Sequence, residues 1–396
     1  MNDQKTILTI EPKANDEGDF TAFHQNQMIP VFGAIPNEKV LCNVVENNGN
    51  KHKYQIQAWV SKVITPSPYR ITPPCTYFGN CTGCQWQHID YKYQLKLKQS
   101  FIESCSNKYS NIRDTKISDT LPSPILFGYR NHGRFTVREK GSLGFVNSVT
   151  KRFVRIEQCL IMNKPINKIL NFLQLNRVET SQLSIRASSA SNSHLVQPKL
   201  NISQTFFDTG QKHYIETLKN KPFQVSSPSF FQVNVSQTEI MIDLIQNALQ
   251  LNKSDILLDA YSGVGTFPAI FAPLVKEVIS LEESKSSTND SEINNNSIPN
   301  ITIMTGKAED LIDPLNNQVT KIILDPPRSG CDQTMLNAIS KLENIKLVYV
   351  SCNANTLCRD LSTLVKNGFK IKKTQPIDMF PHTRHIECVV TLDKIN

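Results

Sequence analysis

The chain has 396 residues, with 43 Lys+Arg against 35 Asp+Glu and a net charge of +8. That length exceeds one ordinary core, so two or three domains are expected. No run approaches the roughly 20 apolar residues that span a bilayer, and the polar start MNDQKTILTIEPKANDEGDF lacks the basic and apolar regions of a signal peptide, so a membrane protein and a secreted disulfide scaffold are excluded and the cytoplasm is the expected location.

Residues 1–65 read as short strands, ILTI, MIPVFG, KVLCNVV and YQIQAWVSKVI, parted by the turn signals NDEGD, IPNE and ENNGNK. The pattern predicts a small, OB-like β-barrel of the kind that binds nucleic acid on its face. TPSPYRITPP (65–74) predicts an extended linker. The central region, 66–225, reads as mixed α+β. It has a helix over YKYQLKLKQSFIESC and a hairpin in GRFTVREKGSLGFVN that turns at Lys140-Gly141. Charge is uneven: residues 1–65 are net −1, residues 66–225 net +13 and residues 226–396 net −4. A basic middle suits a polyanion such as RNA, though a solvated basic surface would look the same.

Ten cysteines are present. Three of them, Cys75, Cys81 and Cys84, form C-x5-C-x2-C directly after the linker, and Cys159 lies far downstream in RIEQCLI. Three clustered thiols and one remote thiol can make a four-thiolate site. Zinc usually pairs two shorter knuckles, so the spacing fits iron–sulfur better; metal-free structural cysteines are the bland alternative.

From residue 226 strands and helices alternate. ILLDA (256–260), EVISLE (277–282), ITIMTG (301–306), KIILDP (321–326) and KLVYVS (346–351) predict a parallel, doubly wound sheet, with a helix inside 283–300. Ligands bind at the carboxyl ends of such strands. The first ends at Asp259 and runs into a turn with Gly263 and Gly265. The second ends at Glu282, where an acid can accept ribose hydroxyls. A nucleotide-containing cofactor fits both. Pro268 stands where a dinucleotide fingerprint needs its third glycine, which favours S-adenosyl-L-methionine. The fourth strand ends in DPPRSG (325–330), a rigid loop able to hold a flat base.

The fifth strand ends at Ser351-Cys352, on the same sheet edge. A space-filling cysteine would sit inside the apolar run; one at its end reads as a nucleophile. Glu387 lies in the apolar stretch IECVV, where an unpaired carboxylate is costly, so it is salt-bridged, on an edge strand, or a general base. A thiol, a carboxylate and a methyl donor together suit methylation at C5 of uracil. Thiolate addition to C6 makes C5 nucleophilic, and a base then removes the C5 proton as the thiol leaves. The thiolate needs nearby positive charge, and the sulfonium, Arg359 and His385 are the candidates. The target base must leave any stack to reach such a site.

In order and spacing, SPSFFQVN (227–234), DAYSGVGTF (259–267), ILDPPRSG (323–330), YVSCNANTLCRDL (349–361) and DMFPHTRHIE (378–387) closely resemble the RNA uracil-C5 methyltransferases, over almost the whole chain. The resemblance implies a TRAM RNA-binding barrel over 1–65, a central iron–sulfur domain over 66–225 and a Rossmann-like class I methyltransferase domain over 226–396. It implies Cys352 as nucleophile and Glu387 as base. Gln232, Tyr261, Glu282 and Asp325 would contact S-adenosyl-L-methionine, with Asp259, Gly263 and Gly265 shaping its pocket. Cys75, Cys81, Cys84 and Cys159 would hold a [4Fe–4S] cluster. The implied activity is 5-methyluridine formation in 23S ribosomal RNA by a monomer, with transfer RNA as the alternative substrate. A non-catalytic iron–sulfur RNA-binding protein is the competing class, and the presence of Cys352, Glu387 and the cofactor motifs counts against it. Two departures stand out: Asn353-Ala354 where the family has Asn-Pro, predicting a looser loop, and CTGC where it has CGGC.

Overall fold

The computed structural model describes residues 4–46, 54–138, 141–176, 179–202, 206–315 and 318–394. β1 (Gln4–Thr9), β2 (Thr21–His24), β3 (Gln27–Phe32), β4 (Lys39–Glu46) and β5 (Ile56–Thr65) form one sheet in the order β1-β4-β5-β3-β2. Alternation drives it: Val40, Cys42 and Val44 of β4 all turn inward onto Leu8, Ile29 and Val31. The expected turn ENNGNK falls largely outside the described residues. The segment after β5 is tied to the first sheet through Glu38. The buried Glu38 carboxylate accepts from Arg70 Nε and Nη2, both at 2.6 Å, and from the Ser67 amide at 3.0 Å. Burial alone would raise its pKa, but Arg70 and the amides hold it below the usual range.

Helix α1 (Tyr91–Ser106) follows, capped by the Asp90 side chain. β6 (His132–Arg138), β7 (Ser142–Val146), β8 (Phe153–Arg155), α2 (Lys164–Leu175), β9 (Gln182–Ala187) and β10 (His194–Gln197) come next. The five strands make an antiparallel sheet, β10-β9-β6-β7-β8. Ile166, Ile169, Leu170 and Leu173 recur at helical spacing along α2 and pack on Phe135, Leu183 and Ile185. β6 and β7 pair as the expected hairpin, with Arg138 opposite Ser142; Lys140 lies outside the described residues. β11 (His213–Leu218) and β12 (Lys221–Ser226) form a separate antiparallel pair.

The remaining elements are α3 (Val235–Leu249), β13 (Ile256–Ala260), α4 (Thr266–Phe271), β14 (Glu277–Glu282), α5 (Lys285–Asn295), β15 (Ile301–Thr305), α6 (Ala308–Leu311), β16 (Lys321–Leu324), α7 (Gln333–Ser340), β17 (Ile345–Ser351), α8 (Ala354–Lys366), β18 (Lys370–Ile377) and β19 (Glu387–Lys394). Seven strands build one sheet in the order β15-β14-β13-β16-β17-β19-β18. The first five run parallel, and β19 is antiparallel to both neighbours. The near-continuous apolar runs of β13, β16 and β17 follow from burial on both faces. Strand order reverses between β13 and β16, which opens the ligand crevice of a doubly wound sheet.

Segments far apart in the chain meet this sheet. Residues Ile102, Cys105, Ile112 and Ile117 join its core, and Ile117 and Leu121 bridge to Thr374 and Ile377 of β18. The loop between β1 and β2 also reaches over. The Asp16 carbonyl accepts from Asn355 Nδ2 at 2.5 Å, the Asp16 carboxylate pairs with Lys108 at 2.5 Å, and Asp19 pairs with Arg384. Among the described residues no helix is long and apolar enough to cross a membrane.

Candidate active site

The carboxyl ends of β13, β14, β16 and β17 open onto a cleft of about 1060 Å³. Gln232, Tyr261, Gly263, Glu282, Asp325, Cys352 and Glu387 all line it. Asp259 and Gly265 do not. Gly265 (φ +80°) is required by packing: a Cβ there would lie 2.2 Å from Asn295 Nδ2 on α5. Gly263 (φ +58°) faces open space instead, its amide donating to Glu282 Oε2 at 2.8 Å. Tyr261 shares the left-handed region (φ 70°), so the turn after β13 is tightly wound.

Asp259 sits fully buried behind that turn, and neither carboxylate oxygen has a hydrogen-bond partner among the described residues. Burial, then the charges of Asp325 and Glu282, push its pKa well up. Burial also raises Asp325, to about 7. Glu387, 3% exposed at the first position of β19, is driven far above the usual range by burial and by Asp325, with Arg328 opposing. A cationic ligand in the cleft would favour the ionised forms of Asp325 and Glu387.

Cys352 directly follows β17, half-buried, with Asn353 capping α8 by accepting from the Asn355 amide at 3.1 Å. Burial pushes the thiol up to about 11, Glu387 adds to this, and Arg328 lowers it by charge and by a hydrogen bond to the sulfur. Arg328 is thus the cation beside Cys352, rather than Arg359 or His385. Arg359 is engaged with Asp360 at 2.7 Å and the Ser329 carbonyl at 2.9 Å. His385 is held neutral, its pKa lowered to about 3 by burial and then by Arg328, and its Nδ1 accepts from Arg328 Nη2 at 3.0 Å. The signal for Arg328 was its place directly after Pro326-Pro327, a loop unable to carry it away from the strand end.

Ala354, in place of proline, is the first residue of α8, the position where proline costs a helix nothing. The loop is pinned regardless: Asn353 Nδ2 and Thr356 Oγ1 donate to the Arg328 carbonyl at 2.9 and 3.2 Å. Cys358 lies buried on α8 toward the core shared with Cys105, as a helix-face residue.

Away from the cleft, Cys75, Cys81, Cys84 and Cys159 are free and half-buried. Burial raises Cys84 to about 12 and Cys159 to about 11, and the four thiols stand within one another's electrostatic reach. As they stand, no three His, Cys, Asp or Glu side chains among the described residues are spaced to hold a metal ion. The spacing of these side chains therefore does not by itself show an iron–sulfur centre. Thr82, the departure from the family's glycine, accepts from the Ser148 amide at 2.8 Å and so joins this loop to the β7–β8 turn.

A five-strand parallel run, closed by the antiparallel β19 with β18 beyond it, and a ligand cleft at the switch point define an α/β methyltransferase fold. A tRNA (uracil-54, C5)-methyltransferase of Pyrococcus abyssi, solved with S-adenosyl-L-homocysteine, shares that fold at a TM-score of 0.72 and 21% identity, covering 97% of this chain and 100% of that one. The model of the tRNA (uracil-5-)-methyltransferase family matches residues 174–395. An uncharacterized RNA methyltransferase of Listeria monocytogenes is 32% identical over 98% of this chain and 97% of its own. Another, of Caldanaerobacter subterraneus, is 29% identical over 92% and 93%. The chain belongs to the tRNA (uracil-5-)-methyltransferase family and is an RNA (uracil-5-)-methyltransferase.

Proposed function

We propose that the protein methylates C5 of a uridine in RNA through a covalent adduct of Cys352, with S-adenosyl-L-methionine as donor. The observation that carries this is the convergence of Cys352, Arg328, Asp325 and Glu387 on one cleft with Glu282 and Gly263. The donor's positive charge suits the Glu282 and Asp325 carboxyls that line the cleft. Gln232, Tyr261, Glu282 and Asp325 would hold it, over the open face of Gly263. Bound there, S-adenosyl-L-methionine supplies an electrophilic methyl carbon.

The chain's own residues do the rest. Arg328 stabilises the Cys352 thiolate, whose electron pair forms a bond to C6 and shifts the ring's electrons toward C5. Asp325 faces the uracil. Once C5 carries the methyl group, Glu387 takes the C5 proton, the C6–sulfur bond breaks and the thiolate is restored. The base enters unstacked, since the cleft lies at the strand ends.

The substrate reading is 23S ribosomal RNA, held by a TRAM barrel (1–65) and the basic region (66–225), ahead of the methyltransferase domain (226–396), in a cytoplasmic monomer. Transfer RNA is the alternative. Incubating the protein with labelled S-adenosyl-L-methionine and each RNA from a strain lacking the gene, then mapping 5-methyluridine, tests both. Label in ribosomal RNA is expected, label only in transfer RNA shifts the substrate, and no label returns the chain to the binding-protein class.

Cys75, Cys81, Cys84 and Cys159 are proposed to hold a [4Fe–4S] cluster, which would supply a centre fixing the basic region rather than redox chemistry. The donor set suits it: four cysteines stand within one another's electrostatic reach, and four thiolates are what such a cluster takes. Anaerobic purification should give a brown protein with about four irons per chain; stoichiometric zinc would overturn the assignment.

A further inference from the structure

A second cavity, about 620 Å³, lies between the N-terminal sheet, the cysteine loop and the β7–β8 turn, sharing no wall residue with the catalytic cleft. Four aromatic rings line it: Phe32 at the end of β3, Trp59 on β5, Phe78 inside the cysteine loop and Phe153 at the start of β8. All four are half-exposed, whereas the rings beside them in the cores are buried. Phe32 and Phe78 already lie 5.8 Å apart at 30°, a tilted pair that leaves faces open. Arg152 stands exposed on the rim, within the stretch that carries the chain's excess positive charge.

Rings left half-solvated beside a guanidinium make a poor protein core and a good stacking platform. Every base has a π-face to offer such rings, and the following phosphate suits the arginine. The cavity also exceeds what one ring needs, within the range of small-molecule sites. We infer that this groove holds an unpaired nucleotide of the substrate RNA away from the uridine that reacts, gripping the base on Trp59 and Phe153 and its phosphate on Arg152. The inference rests on the reading of the chain as an RNA methyltransferase. Its occupant is single-stranded RNA; a duplex offers no open base face to the rings.

The test uses the full chain and a single-stranded RNA of ten uridines. Adding this RNA should quench tryptophan fluorescence in the wild type, and Trp59→Phe should abolish the quench, because the other tryptophan, Trp86, is buried against Phe20. Trp59→Ala should weaken binding on the order of tenfold, as removal of a stacking platform does, and Trp59→Phe should restore most of it. In methyl transfer, Trp59→Ala should raise KM for RNA while leaving kcat and KM for the methyl donor unchanged. Arg152→Gln should lower the salt slope of binding by about one. Unchanged RNA affinity in Trp59→Ala overturns the proposal, as does a blunt RNA duplex that quenches as strongly as the single strand. Either result leaves methylation by the wild type intact, so loss of the groove and loss of the proposed activity are told apart.

Discussion

Replacing Cys352 by alanine should abolish methyl transfer to RNA while binding persists, and replacing Glu387 by glutamine should leave the protein covalently attached to its substrate. The two outcomes divide one mechanism. Without the sulfur no bond to C6 forms and C5 stays a poor nucleophile. With the sulfur but no carboxylate the C5 proton remains, so the C6–sulfur bond has no electron pair to expel it. The adduct should survive a denaturing gel in Glu387→Gln and vanish in the double variant with Cys352→Ala. Free turnover by Glu387→Gln would remove the glutamate from its role. The wild-type pH profile adds a sign. Burial places the thiol near 11, so it is protonated at neutrality and its thiolate fraction rises as pH rises. Single-turnover methylation should therefore climb between about pH 6 and about pH 9, approaching tenfold per unit where thiolate formation limits. A flat profile would mean that the thiol is already ionised in the loaded enzyme.

Lys98→Met should cost about 3–5 kcal/mol of stability, the usual penalty for stranding one partner of a buried ion pair. Lys98 Nζ on α1 meets Asp378 Oδ1 at 2.5 Å with both side chains at 0% exposure. It also donates to the Phe380 carbonyl at 3.1 Å, and Tyr91 donates its hydroxyl proton to Asp378 Oδ2 at 2.8 Å. Burial lowers the lysine's pKa, and the Asp378 carboxylate opposes that shift. The pair anchors the segment leading from β18 to Glu387, so the damage is not confined to stability. Denaturant unfolding measures the single variant against Lys98→Met combined with Asp378→Asn. The double variant should recover most of the loss, since an uncharged pair leaves no stranded ion. A single variant within about 1 kcal/mol of wild type would show the pair to be solvated and ordinary.

Strand positions in the C-terminal half were legible because buried parallel strands write themselves as short apolar runs, and the residues ending those runs mark the sheet edge that binds ligand. Ile256–Ala260 and Glu277–Glu282 have the bounds expected of them. What periodicity could not display is contact between distant segments. Nothing local to YKYQLKLKQSFIESC announces that Lys98 will be buried against Asp378, or that α1 will pack on α8. Gly265 looked like a cofactor glycine because a turn glycine and a packing glycine share one signature; only the neighbour across the gap, Asn295, tells them apart. Arg328 was hidden for a related reason, since an arginine's reach ends far from its own backbone.

The loop between β1 and β2 touches Asn355, three residues after Cys352, and Arg384, three residues before Glu387. The first sheet is therefore no detachable handle. A chain trimmed to its C-terminal part would lose the strut that braces both reactive segments, and a grafted foreign RNA-binding module would have to reproduce that strut before it could redirect the enzyme to another target.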